Sequence, residues 1–239
     1  MNLKDPIKKL FKIFGLSVSK VKFDIDNRPN AFVEHGVTLI FDIGANCGQF
    51  GEFIRNKGFN GRIISFEPLD EAHKKLISKA KSDRLWEVAP KAALGSKISK
   101  EKINVSENSV SSSILEMLPE HLNSAVESRY IFTEEISVLT LDNEYLKYMH
   151  GEEILGSKID VQGFEKEVLL GASNFLNQAK VIQIELSLVH LYSGAELYEY
   201  FFEFFKQKNY ILWNIVPGHS NRKTGQLLQF DAIFVKKQQ

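Results

Sequence analysis

Phe41-Asp42-Ile43-Gly44-Ala45-Asn46-Cys47-Gly48 is the stretch whose reading decides the fold. An acid ends an apolar run, two glycines stand four apart, and residues of helical period follow. Val37 to Ile43 reads as a buried strand, Gln49 to Lys57 as a helix and Gly61 to Phe66 as the next strand, which is the unit of a parallel sheet.

Outward from this unit the alternation continues. Leu69 to Ala80 reads as a helix and Trp86 to Val88 as a third strand. The polar, serine-rich stretch from Lys97 to Ser113 reads as a loop or lid. Ile136 to Leu141, Ile154 to Val161 and Val181 to Leu186 are further strands, and Phe164 to Leu170 is a helix. Ala195 to Lys208 is a helix whose aromatics, Tyr198, Phe201, Phe202 and Phe205, have core spacing. Ile211 to Ile215 and Leu227 to Val235 close the chain as an antiparallel pair around Pro217 and Gly218. With no repeat or linker, the reading is an N-terminal helical appendage, 1–36, and one domain, 37–239.

Composition narrows the partners. Thirty basic residues balance thirty acidic ones, so no net charge draws the chain to nucleic acid or to an anionic membrane. Cys47 is the only cysteine, which fits a reducing cytoplasm and reads as a small packing residue. Met1 to Lys20 mixes lysines with Leu10, Phe11, Ile13, Phe14 and Leu16, an apolar run too interrupted for a signal peptide. It reads as a helix packed on the domain edge, with membrane or partner contact as the alternative. Composition leaves the oligomeric state open.

The glycine spacing separates cofactors. A dinucleotide loop needs G-x-G-x-x-G, and a P-loop needs a lysine and a Ser/Thr after its last glycine; neither pattern is present. An aspartate at the strand tip repels a pyrophosphate but suits a cationic amino group and a sulfonium, which describes S-adenosylmethionine. Twenty-five residues after Asp42, Glu67 ends the second strand, placed to accept from both ribose hydroxyls. The plainer alternative makes Asp42 a helix cap and Glu67 a solvated turn acid.

These residues resemble the FkbM family of methyltransferases over about Thr38 to Val235. The matching stretches are FDIGANCGQF from Phe41, SFEP from Ser65, NSVSSSIL from Asn108, LTLD from Leu139, KIDVQGFEKEVLLGA from Lys158, QIELSLV from Gln183 and PGHSNRKTGQLLQFDAIFV from Pro217. The resemblance implies a Rossmann-like class I methyltransferase fold, α/β with a mostly parallel seven-stranded sheet and a C-terminal antiparallel hairpin. It also implies O-methylation of a sugar, glycan or natural product. The expected cofactor contacts are Asp42, Gly44, Asn46, Gly48, Glu67, Pro68 and Ser111.

An alcohol acceptor needs a group to take its proton. Asp160, at a strand tip, is the first candidate, followed by Glu185 and His190, with Glu165 nearby. Alternatively, Asp160 with Glu185 or Asp142 holds Mg2+. Glu165 and Glu167 also read as the solvated first turn of a helix. Asn221, Arg222 and Lys223 are either acceptor contacts or a solvated hairpin tip. Rival readings are an NAD-dependent oxidoreductase, a non-catalytic Rossmann-like binding module and a nucleic-acid methyltransferase. The missing third glycine, the intact acids, and the lack of a basic face or an N/D-P-P-Y/F signature weigh against them in turn.

Overall fold

The computed structural model describes residues 30–237. The reading of Met1 to Lys20 lies outside them.

β1 (Leu39–Ile43) is buried along its whole length, as its unbroken apolar run around Asp42 requires of a central parallel strand. It pairs in parallel with β2 (Arg62–Phe66) on one side and β7 (Leu155–Ile159) on the other. β2 carries β3 (Trp86–Val88) at one edge, and β7 carries β8 (Val181–Ser187), again in parallel. β10 (Gln229–Lys236) inserts antiparallel between β8 and β9 (Tyr210–Pro217), giving the order β3-β2-β1-β7-β8-β10-β9. The expected seven-stranded sheet with an antiparallel C-terminal pair is present.

Both faces are covered. Leu39, Phe41 and Ile43 meet α5 (Leu141–Tyr148), α6 (Glu165–Leu170), α7 (Ser173–Gln178) and α8 (Tyr198–Gln207). The aromatics of α8 build core as their spacing predicts: Phe205 stacks on Phe234 with centroids 4.2 Å apart. On the other face Ile40 and Ile63 meet α2 (Gln49–Asn56) and α3 (Asp70–Ala80) through Ile54, Leu76 and Ala80. Phe32 of α1 (Ala31–Glu34) joins this second cluster. Each such buried side chain contributes about 1.5–3 kcal/mol of transfer free energy. Among the described residues no helix is long and apolar enough to cross a membrane.

Lys97 to Ser113 is not simply a loop. Ser99–Ser106 forms β5, paired antiparallel with β6 (Tyr130–Leu139), and β4 (Ala93–Leu94) completes a second, three-stranded sheet. Only Ile103 and Val105 carry its apolar face, against Ile136 and Val138, and the polar half before them, Ser99 to Lys102, hides the period-two pattern. The strand expected to reach Leu141 stops at Leu139, because Thr140 caps α5 by accepting from the Asn143 N–H.

Candidate active site

A cavity of about 310 Å³ opens over the carboxyl ends of β1, β2 and β7. Its walls include Gly44, Asn46, Glu67, Ser109, Asp160 and Gln162. Parallel strands direct their C-terminal loops to one edge, so five segments distant in sequence meet there.

Gly44 lets β1 and β7 close together beneath the cavity. Its φ is +77°, and a Cβ there would lie 1.9 Å from the Asp160 carbonyl oxygen. Gly48 begins α2 at φ +82°, with Leu76 and Trp86 3.0 Å from the place of a Cβ. Three non-glycine residues around the cavity, Asn46, Ser109 and Gln162, also have positive φ. Such backbone costs about 1–3 kcal/mol each and persists where the surroundings over-determine it.

Asp42 is buried and accepts from Ser65 Oγ at 3.0 Å, and Trp86 Nε1 donates to the same Oγ at 2.9 Å. It is therefore not a cap of α2, whose first turn has no side-chain cap. Glu67 is no solvated turn acid either: its two oxygens accept from the Asn46 and Leu69 N–H groups, both at 2.8 Å, in a buried position. The second lone pair of each oxygen remains for a ligand diol. Burial pushes the carboxyls of Asp42 and Glu67 up to about 7, against the pull of these hydrogen bonds. Glu165 is raised to about 7 by burial as well. Its Oε1 accepts from the Val161 and Gly163 N–H groups, so the reading of a solvated first turn fails for it.

A carboxyl whose folded pKa is raised binds more protons in the native than in the unfolded state between the two values. Its stabilising share is present below the unfolded value and is lost as pH rises towards 7. Accordingly, Asp42→Asn gains about 1–3 kcal/mol relative to the parent between about pH 5 and about pH 8, read from urea unfolding. A constant difference would contradict a buried, raised Asp42.

Beside the cavity lies a second polar network. Lys158, buried, donates to Asp160 Oδ2 at 3.3 Å and Asp231 Oδ1 at 2.9 Å. Burial lowers its pKa, but Asp160, Asp231 and Glu185 outweigh burial and hold the ammonium above the ordinary lysine value. Gln162 Nε2 donates to Asp160 Oδ1 at 2.8 Å and Glu185 Oε2 at 2.7 Å. Burial, then the Asp160 charge, pushes Glu185 well above its ordinary value. Glu185 also accepts from Gln229 and does not line the cavity.

Other candidates fall elsewhere. Ser111 bonds Ser128 Oγ at 2.9 Å and Asn108 Nδ2 at 3.1 Å, away from the cavity; Ser109 and Ser112 line it instead, and Asn46 Nδ2 donates to Ser109 Oγ at 3.3 Å. His190 is exposed and outside the cavity wall. Asp142 accepts from the Asn174 and Phe175 N–H groups and so caps α7. With Asp142 committed there and the Lys158 ammonium against Asp160, these residues do not fit the proposed Mg2+ site. Among the described residues no group of three or more His, Cys, Asp or Glu is arranged to hold a metal. Asn221 shapes its own turn by accepting from the Lys223 and Thr224 N–H groups, and Arg222 and Lys223 are exposed. Cys47 packs beside Leu69 and Ala72.

Residues 42–212 match the Methyltransferase FkbM domain. The chain belongs to the FkbM methyltransferase family. Its donor is therefore S-adenosylmethionine, and the strand order and the cavity over the carboxyl strand ends are those of the class I methyltransferase fold. No curated protein matches the chain in sequence. Among solved structures it is similar to an rRNA methylase from Streptococcus thermophilus, with 9% identity over 93% of this chain and 100% of that one and a TM-score of 0.48. The precorrin-6y C5,15-methyltransferase from Geobacter metallireducens has 12% identity over 84% and 81%, with a TM-score of 0.43. A TehB-like SAM-dependent methyltransferase from Corynebacterium glutamicum has 12% over 99% and 100%, with a TM-score of 0.41.

The cavity's chemistry fits this donor. Its volume suits a nucleoside-sized ligand, and Asp42, Glu67 and Asp160 line it with three carboxyls. Gln162 carried no sequence signal of its own beyond standing inside a family-like stretch.

Proposed function

We propose that this methyltransferase acts on a hydroxyl oxygen of a small polyhydroxylated acceptor, a sugar, glycan or natural product. One observation carries the reading. Asp160 presents a partly exposed carboxylate, 32% accessible, to the cavity at the tip of β7, beside the glycine loop. The sulfonium supplies an activated methyl carbon, so the protein's task is alignment and proton removal.

Glu67 holds the ribose diol on this reading, and Asn46, Gly44 and Pro68 shape the loop around it. Asp160 would accept a hydrogen bond from the acceptor hydroxyl, align the oxygen and take its proton as the new O–CH3 bond replaces the donor's CH3–S bond and a neutral thioether leaves. Lys158 and Gln162 hold the two carboxylate oxygens from behind. Balanced net charge supports an uncharged small acceptor over nucleic acid.

The test is incubation with methyl-labelled S-adenosylmethionine and a panel of sugars, glycans and hydroxylated metabolites, with the labelled position located by NMR. An O-methyl product is expected, and Asp160→Asn lowers kcat by about 100-fold while donor binding weakens by no more than about tenfold. A nitrogen- or carbon-methylated product, or full activity in Asp160→Asn, would overturn the reading.

A further inference from the structure

Gln162 is held more tightly than a cavity-lining amide needs to be. Its backbone is left-handed, φ +53°, and the following Gly163 has φ +98°, with the Tyr192 side chain 3.0–3.1 Å from the place of a Cβ. The amide nitrogen spends both hydrogens on carboxyls, Asp160 at 2.8 Å and Glu185 at 2.7 Å. The amide oxygen accepts from Tyr192 OH at 2.7 Å, and the backbone carbonyl accepts from Ser113 Oγ at 2.6 Å. Tyr192 is itself fully buried. One residue thus ties the tips of β7 and β8 to the loop before α8 through its side chain, and to the loop after β5 through its backbone carbonyl.

Only a primary amide of this length can do so. A carboxylate has no hydrogen to give to two acids, and asparagine is one methylene short. Without the bridge, Asp160 keeps only Lys158, which is shared with Asp231 and lies on the opposite carboxylate oxygen. The carboxylate would turn towards that ammonium and leave the orientation that Gln162 fixes.

From these contacts we infer that Gln162 is a positioning residue. It fixes the Asp160 carboxylate towards the methyl-transfer centre, and so sets the cavity's preference for a cationic sulfonium over the neutral thioether product. The inference rests on the donor occupying this cavity.

The experiment is calorimetric titration of S-adenosylmethionine and S-adenosylhomocysteine into the wild type, Gln162→Ala, Gln162→Asn and Tyr192→Phe, with folding checked by near-ultraviolet circular dichroism. In both Gln162 variants the ratio of affinities shifts towards the homocysteine ligand by about tenfold, the value of one partly screened ion pair, with that ligand's own affinity held within about twofold. Tyr192→Phe keeps the packing, removes one hydrogen bond, and shifts the ratio about threefold in the same direction. Equal weakening of both ligands, or no change in the ratio, overturns the inference and leaves Gln162 a packing residue. Wild-type protein that binds neither ligand overturns the donor-site reading itself.

Discussion

Replacing Gly44 with alanine abolishes measurable donor binding and lowers the melting temperature by about 5–10 °C. A methyl group at this place would sit 1.9 Å from the Asp160 carbonyl oxygen and 2.9 Å from its carbon, both backbone atoms that cannot rotate away. The backbone at φ +77° adds its own penalty for any residue with a Cβ. Relief requires the tips of β1 and β7 to part, although the Asp160 N–H donates to the Ile43 carbonyl at 3.0 Å and holds them together. The loss is therefore structural and functional at once, since the strand tips that separate are the ones carrying Asp42 and Asp160. An alanine variant with parental stability and affinity would show that the glycine loop does not form the cavity floor.

Glu67→Gln weakens S-adenosylmethionine by about 100-fold. The native carboxylate accepts from two backbone N–H groups, and a glutamine must turn its NH2 towards one of them. Losing a hydrogen bond to a charged group costs about 1.5–3 kcal/mol, and the displaced Asn46 carries the glycine loop with it. One acceptor for the ribose diol is lost in the same step. The parent's affinity also depends on pH, because Glu67 titrates near 7 by reason of its burial: below that value the neutral acid attracts a cationic donor less, and above it the carboxylate attracts it more. Glu67→Gln removes the share of that dependence that Glu67 carries and leaves the share of Asp42, which burial raises to about 7 as well. Equal donor affinity in parent and variant, measured by calorimetry, would remove Glu67 from the binding site.

The sequence carried the sheet far better than its surroundings. β1 and β2 are largely apolar runs with an acid or glycine at their ends, as strands buried on both faces tend to be, whereas the equally buried β7 has only Leu155 and Ile159 around Gly156, Ser157 and Lys158. β5 was hidden because a small sheet with one solvated face needs only two apolar residues, and Ser99 to Lys102 reads as polar loop. The cofactor side followed the same logic. Gly44 and Glu67 stand at fixed offsets from strand ends, where backbone geometry determines their place. Ser111, by contrast, lies in a turn where adjacent residues point in different directions, so the serine that meets Asn46 is Ser109. Asp142 and His190 were chosen for side-chain type alone. Asp142 answers to the free N–H groups of α7, a tertiary demand with no local signature. Gln162 is silent in the sequence, because an amide neighbouring Asp160 acquires meaning only when Glu185 and Tyr192, distant in sequence, arrive beside it.

Titrating S-adenosylmethionine into the full chain at about pH 8, with NAD as control, tests the donor cavity most directly. Binding with a Kd of about 1–100 µM, competed by S-adenosylhomocysteine and lost in Gly44→Ala, is what this site predicts. Folded protein that gives no heat with either ligand, or that binds NAD in their place, would contradict it.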